Sequence, residues 1–499
     1  MNRKTKSPAF ILAAAAMLSS AIATANSDLA DKSRTASGAK PNVIVILADD
    51  MGNGDISAYG NKLIDTKNID SIGKDGVTFT SGYVSAPLCS PSRAGMVTGR
   101  YQQRFGFEQQ VSSGAFPEMN QAYDMDGKPN GLIGEEESLR RGVPLTEKNI
   151  GELFKAGDYN TGIVGKWHLG HGEQFLPQNR GFDYSNVFYG NTSLQIQDLS
   201  NPDYISLKVD FHDEAPVTAW TRAGLNQIRE NGKIVQVNQY LLDHFRDRAI
   251  DFIEDNKNKP FMLYMAMNSP VPPLQVPIGY FEKLRKKIPN INERAYNGLV
   301  LAQDDAVGAV LEKLKATGLD QNTIVVFLSD NGEAESRPGS NAPYQGGKYS
   351  THEGGIRVPF MMKWPGHIKP GSVYDKPVIS LDILPTVAAA GGVSTKDAKP
   401  LDGKNLLPFL EAKNDAAPHE ALFWKLGQES AVRKGAWKLW LNTSTGSSAL
   451  YRVSEDVAET KDLSAQHPDI KSELQASYDA WNKELPVRGW TNVSPVFKK

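Results

Sequence analysis

Mostly apolar runs recur along much of the chain and alternate with segments of helical periodicity. The strand-like runs occupy residues 42–50, 76–81, 159–170, 260–267 and 322–331. Such runs are typical of strands that are covered on both faces, as in parallel sheets. Helices are predicted over residues 145–156, 240–254 and 297–316, and the second of these is clearly amphipathic. We therefore predict an α/β fold with a mostly parallel sheet.

The pattern changes near residue 406, where strand-like segments become short and are separated by glycine or polar turns. They cover residues 420–425, 429–433, 437–441 and 449–453, and a helix follows over about 470–483. This texture predicts a small C-terminal α+β subdomain around an antiparallel sheet. We divide the chain into a signal peptide (residues 1–25), a main domain (26–405) and the C-terminal subdomain (406–499).

The first residues have the three parts of a secretory signal. Arg3, Lys4 and Lys6 are basic, residues 9–16 form an apolar core, and Ala23-Thr24-Ala25 is a small-residue cleavage site. We expect cleavage after Ala25 and a periplasmic or secreted protein. The apolar core is too short to span a bilayer, and no later run of about 18 apolar residues follows, so no membrane span is expected.

Composition excludes one class of partner. The 499 residues are 40% hydrophobic and 22% charged, as in ordinary globular proteins. The formal net charge is −2, so there is no basic excess of the kind that favours nucleic acid.

The sequence around the single cysteine, Cys89, is typical of a reactive residue rather than a packing residue. It opens the sequence Cys89-Ser-Pro-Ser-Arg93, which is followed by a short apolar run. Proline two residues on suits the first turn of a helix, so Cys89 is predicted at a helix N-terminus, where free N–H groups favour negative charge. Arg93, one turn later, can point at the same spot. Alternatively, Cys89 is a buried structural cysteine.

Polar pairs follow two of the predicted strands. Asp49 and Asp50 end the first, and Asp330 and Asn331 end the last. Ligands bind at the carboxyl ends of strands in open α/β sheets, and oxygen ligands suit a hard cation. The alternative is helix capping beside a solvated loop.

Lys166 and His168 flank Trp167 in a third strand-like run. On an extended chain both side chains point to one face. They could serve a site at the strand end or form a satisfied polar patch.

Together these motifs resemble the type I, formylglycine-dependent sulfatases of the alkaline-phosphatase superfamily. The matching stretches are Cys-Ser-Pro-Ser-Arg with Thr98-Gly99-Arg100, Gly-Lys-Trp-His-Leu-Gly (165–170), and the glycine-rich segment 346–359 that contains Lys348. The resemblance implies a large mixed, mostly parallel sheet sandwiched by helices, with residues 26–405 as the catalytic domain. It also implies that a maturation enzyme converts Cys89 to Cα-formylglycine.

The resemblance also implies a ligand set and a mechanism. One divalent cation, Ca²⁺ with Mg²⁺ as the alternative, would be held by Asp49, Asp50, Cys89, Asp330 and Asn331. Arg93, Lys166 and Lys348 would neutralise a sulfate ester. One hydroxyl of the hydrated aldehyde would attack sulfur, and His168 would deprotonate the other to release sulfate.

One position departs from the family pattern. Many relatives carry a histidine where this chain has Val271, after the strand that is predicted to end near Met267. Valine cannot donate a proton, so we hypothesise that His352 or Lys348 protonates the leaving group. Alternatively, His352 is only a packing or sulfate-positioning residue.

The predicted substrate is a sulfated carbohydrate, and a carrageenan-like glycan is the specific hypothesis. Tyr123, Phe211 and Trp220, in two long insertions, could stack on sugars or be core residues; His212 is interpreted as a surface residue. The alternatives are a phosphate or phosphonate ester hydrolase of the same superfamily, or an inactive carbohydrate-binding relative.

Overall fold

A ten-stranded mixed sheet forms the centre of the molecule in the computed structural model, which describes residues 39–111, 121–123, 129–132, 138–207, 221–411 and 414–486. Its five central strands run parallel. In spatial order the strands are β10 (Lys233–Ile234), β9 (Arg229–Glu230), β7 (Tyr184–Phe188), β6 (Asn160–Lys166), β11 (Phe261–Pro270), β1 (Asn42–Asp49), β13 (Thr323–Ser329), β14 (Phe360–Lys363), β2 (Val77–Phe79) and β15 (Ser372–Tyr374). The predicted mostly parallel sheet is confirmed.

Helices cover both faces of this sheet because its central strands are apolar on both sides. In β1, Val43, Val45 and Leu47 belong to one buried apolar cluster, and Ile44 and Ile46 belong to another. The first cluster includes residues of α2 (Cys89–Thr98), α3 (Ile150–Ala156) and α8 (Ile383–Gly391). The second includes residues of α1 (Lys67–Lys74), α4 (Leu241–Asp255), α5 (Ile278–Lys283) and α6 (Ile291–Ala316). The predicted helix–sheet–helix layering is therefore confirmed.

Several boundaries differ from those predicted, and local capping explains where two of the helices begin. Helix α3 begins at Ile150 rather than 145 because Asn149 and Glu152 form a capping box. Helix α6 begins at Ile291 rather than 297 because the side chain of Asn290 caps it. Strand β6 ends at Lys166 rather than continuing to residue 170, which matters for the site.

The C-terminal part has its own antiparallel sheet, as predicted. Strands β17 (Leu422–Leu426), β18 (Glu429–Lys434), β19 (Trp437–Asn442) and β20 (Ser447–Tyr451) pair in chain order. Helix α10 (Pro468–Lys483) packs on them, and a third apolar cluster joins this sheet to Tyr83, Tyr101 and Ile379 of the main domain. The remaining elements are β3 (Gly82–Tyr83), β4 (Gln121–Tyr123), β5 (Pro129–Leu132), β8 (Tyr204–Ser206), β12 (Gln275–Pro277), β16 (Val378–Ile379), α7 (Glu353–Ile356) and α9 (Leu407–Leu410).

Several predictions concern parts of the chain that are not described. The signal peptide (residues 1–25), Phe211, His212 and Trp220 lie outside the described residues, and Tyr123 is described only as the last residue of β4. Within the described ranges, no helix has the length and apolarity needed to cross a membrane.

A buried aspartate of α6 ties this helix to the start of α1. Asp304 accepts hydrogen bonds from the backbone N–H groups of Asn68 (3.0 Å) and Ile69 (2.7 Å) and from the Asn68 amide (2.8 Å). Burial raises the pKa of Asp304 from 3.8 to about 6. Between pH 3.8 and about 6, the folded protein keeps a proton on Asp304 that the unfolded chain releases. The free energy of unfolding therefore falls as the pH rises through this window.

We therefore expect the wild type to lose stability relative to Asp304→Asn as the pH rises from about 4 to about 6. The loss should be about 2 to 3 kcal/mol, with no further change above that window. Urea unfolding of both proteins at several pH values measures this difference. A difference that stays constant with pH would contradict the shifted pKa.

Candidate active site

The polar pairs at the ends of β1 and β13 meet, as predicted. These strands are parallel neighbours, with Ala48 opposite Ser329, so the residues that follow them lie side by side. The backbone N–H of Asp50 donates to Asp330 Oδ1 at 3.0 Å. Asp49, Asp50, Asp330 and Asn331 are all buried, which brings three carboxyl groups together without exposure to solvent.

Cys89 adds its sulfur to this group. It is the first residue of α2, and its Sγ lies 3.3 Å from Asp50 Oδ1. One ligand atom from each of Asp49, Asp50, Cys89 and Asp330 lies within 4.8 Å of the others. Burial, together with the nearby Asp50 carboxylate, raises the pKa of the Cys89 thiol. The unmodified thiol is therefore neutral and a poor nucleophile, despite its place at a helix N-terminus.

Three predicted cations contact these carboxylates. Lys166 Nζ lies 2.8 and 2.9 Å from the two oxygens of Asp49. Arg93 pairs with Asp330 (2.8 Å) and Asp49 (3.3 Å), and Lys348 pairs with Asp50. The three side chains are almost completely buried. They supply the positive charge that the buried carboxylates need.

A fourth cation, Arg337, was missed by the sequence analysis. Its guanidinium lies 2.6 Å from Asp50 Oδ2 and 3.4 Å from Glu333 Oε1. Burial by itself would raise the pKa of Asp50. The charges of Lys348 and Arg337 outweigh this effect and hold that pKa well below its usual range. Residues 333–338 form a loop and turn rather than a helix, so the four-residue spacing of Glu333 and Arg337 gives no local signal of this contact.

His168 reaches the site by a route different from the one predicted. Strand β6 ends at Lys166, and His168 has a left-handed backbone with φ of +56°. The argument from strand alternation is therefore wrong, because it holds only for extended backbone. His168 is fully buried, and burial together with Lys166 and Arg93 lowers the pKa of its imidazole. This shift favours the neutral form of the imidazole.

The structure does not bring His352 into this group. Its Nδ1 lies 3.2 Å from Glu459 Oε2, and its ring stacks on Trp440 with centroids 4.9 Å apart. Both partners belong to the C-terminal subdomain.

Val271, by contrast, does lie beside the strand ends. Its backbone N–H donates to the carbonyl of Asp49 at 3.1 Å, and the residue is buried.

The donor set fits a divalent cation. Asn331 Nδ2 donates to Asp50 Oδ1 at 2.6 Å, and the buried Asn331 Oδ1 has no hydrogen-bond partner within the described part of the chain. Exchanging the amide oxygen and nitrogen by a 180° rotation would turn this orphaned oxygen towards the carboxylates. Oxygen ligands crowded in this way suit a hard cation.

Comparison with known proteins identifies the family. A sequence profile described as "Sulfatase" matches residues 41–393. A second profile, described as "N-sulphoglucosamine sulphohydrolase, C-terminal", matches residues 347–482. The chain belongs to the sulfatase family. It is a sulfuric ester hydrolase, and the resemblance based on its motifs is confirmed.

Individual sulfatases match over most of the chain. The arylsulfatase of Hemicentrotus pulcherrimus is 32% identical over 419 residues, covering 81% of this chain and 68% of that protein. The N-acetylgalactosamine-6-sulfatase of Rattus norvegicus is 31% identical over 440 residues, covering 85% and 76%. The crystal structure of Ps i-CgsB in complex with k-i-k-neocarrahexaose superposes with a TM-score of 0.78 at 30% identity, covering 91% of this chain and 95% of that one.

We expect Ca²⁺ to stabilise this sulfatase by binding the cluster that Asp49, Asp50, Cys89 and Asp330 form at the strand ends. Adding Ca²⁺ to EDTA-treated protein should raise the free energy of unfolding by about 2.7 kcal/mol at a hundred times its Kd. Asp330→Asn should abolish most of this gain, because it removes a charged oxygen ligand. Thermal and urea unfolding measure the effect.

Asp251→Asn is the matched control, since Asp251 is an exposed aspartate of α4. If both variants lost the Ca²⁺ response equally, or if neither variant lost it, the ion would bind elsewhere.

Proposed function

We propose that this sulfatase hydrolyses sulfate monoesters on a sulfated carbohydrate, with a carrageenan-type oligosaccharide as the leading candidate. One observation carries the reaction: a nucleophile position, three carboxylates and four cations converge in a buried site. The similarity to Ps i-CgsB, whose structure contains neocarrahexaose, supports the choice of glycan. The signal peptide predicted over residues 1–25 supports a periplasmic or secreted location.

We infer that Cys89 acts after conversion to Cα-formylglycine by a maturation enzyme. The raised pKa of the thiol supports this, because a neutral buried thiol attacks poorly. A hydrated aldehyde offers two hydroxyls and needs no thiolate.

Asp49, Asp50, Asp330 and Asn331, with an oxygen of the modified Cys89, would hold one divalent cation. Ca²⁺ is proposed and Mg²⁺ is the alternative, since both take oxygen ligands whereas zinc prefers nitrogen and sulfur. When bound, the cation makes a nearby hydroxyl more acidic and neutralises developing negative charge.

Arg93, Lys166 and Lys348 would bind the sulfate oxygens and keep the ester oriented. One hydroxyl of the hydrated residue 89 gives its proton to one of the neighbouring carboxylates and attacks sulfur. The bond from sulfur to the sugar oxygen breaks, and that oxygen takes a proton from Lys348. His168, neutral because it is buried, then takes the proton of the second hydroxyl. The C–O bond to sulfate breaks, and the aldehyde is restored.

We assign the leaving-group proton to Lys348. Its ammonium pairs with Asp50 in the cluster, whereas His352 contacts Glu459 and Trp440. Val271 beside Asp49 offers no proton.

The proposed function is tested first by mass spectrometry of tryptic peptide 75–93 from a host able to mature sulfatases. We expect an aldehyde in place of the thiol. Matured protein should release sulfate from carrageenan oligosaccharides at least tenfold faster than phosphate from 4-nitrophenyl phosphate, with Cys89→Ala inactive. Faster phosphate release would favour the phosphate or phosphonate hydrolase, and glycan binding without any release would favour the inactive binding protein.

The assignment of Lys348 is tested by comparing good and poor leaving groups. Lys348→Ala should lower the turnover of a sugar sulfate at least tenfold more than that of 4-nitrophenyl sulfate, because nitrophenolate leaves without a proton. His352→Ala should lower both by similar factors. The reverse pattern would assign the proton to His352.

A further inference from the structure

The hydroxyl of Ser90 makes a hydrogen bond that the proposed reaction does not use. Ser90 is the second residue of α2, directly after Cys89, and its Oγ donates to the backbone carbonyl of His168 at 2.7 Å. Both residues are fully buried. This bond joins the helix of the nucleophile to the segment of the base, 78 residues away in sequence.

The carbonyl that Ser90 holds belongs to a strained residue. His168 has φ of +56°, a backbone conformation that is costly for a residue with a Cβ. Such a conformation persists only where surrounding contacts hold it.

The residues on either side of His168 are also anchored. Trp167 donates its backbone N–H to Phe188 (3.0 Å) and its indole N–H to Phe175 (3.0 Å), and the carbonyl of Leu169 accepts from Val143 (3.1 Å). These bonds fix the flanking residues. Ser90 acts on the carbonyl of the strained residue itself.

We propose that Ser90 is a positioning residue, which holds His168 in its left-handed conformation and so fixes the place of its imidazole near Lys166 and Arg93. The inference rests on the proposed role of His168 as the base. Because Ser90 and Cys89 are neighbours in one helical turn, the same turn that carries the nucleophile also orients the base. A shift of the base by a fraction of an ångström is costly to a proton transfer.

Two variants test this proposal. Ser90→Ala removes the hydroxyl, and Ser90→Thr retains it. Ser71→Ala is the matched control, because Ser71 Oγ also donates to a backbone carbonyl, that of Asn68, at 2.6 Å but on α1. Since Ser90 lies inside the maturation motif, every rate is divided by the formylglycine content of peptide 75–93.

With 4-nitrophenyl sulfate as the probe, we expect Ser90→Ala to lower kcat about tenfold while KM stays within about twofold, since the anion-binding side chains are untouched. Ser90→Thr should recover most of kcat, and Ser71→Ala should match the wild type. In a crystal structure of Ser90→Ala, we expect the φ of His168 to leave the left-handed region.

A Ser90→Ala protein with wild-type kcat, or with an unchanged His168 φ, would overturn the proposal. The crystal structure does not depend on turnover. A matured wild-type protein that hydrolyses no sulfate ester would therefore count against the proposed function, while the φ of His168 would still report on Ser90.

Discussion

The need to neutralise buried carboxylates at the ends of two parallel strands shapes the whole site. Isolated charges removed from water cost several kcal/mol each unless opposite charges compensate them. Here the compensation comes from separate parts of the fold: the end of β6, the second turn of α2 and the loop after β13. The four cations are Lys166, Arg93, Arg337 and Lys348. Each segment is held in place by the charge that it contributes.

The same charge balance prepares the site for an anion. Burial raises the pKa of Glu333, so this nearby carboxyl group tends to be neutral and subtracts little from the positive charge of Arg337. A divalent cation on the carboxylates would leave the cluster with surplus positive charge. A sulfate ester is a compact anion that can offset this surplus, and the cations would already be oriented before it arrives. Electrostatic preorganisation of this kind needs no large movement of the chain.

Local patterns were enough to predict the parts of the site that depend on strand ends and helix starts. Asp49 ends one parallel strand and Asp330 follows another, and Pro91 indicates a helix that begins at Cys89. The sequence does not show where a strand stops once its pattern turns polar, so His168 was placed on the wrong geometry. Arg337 was missed because its burial depends on contacts with a carboxylate 287 residues away, which no local pattern encodes.

The placement of His352 depends on a second long-range feature, the docking of the C-terminal subdomain. Glu429 accepts from the backbone N–H of Thr351 at 3.0 Å, and Glu459 accepts from that of Glu353 at 2.7 Å. Lys438, fully buried, pairs with Glu459 at 2.9 Å. These contacts anchor the segment that begins a few residues after Lys348. The subdomain therefore holds the segment that follows Lys348, and substitutions about 100 residues beyond this lysine can alter how it is presented.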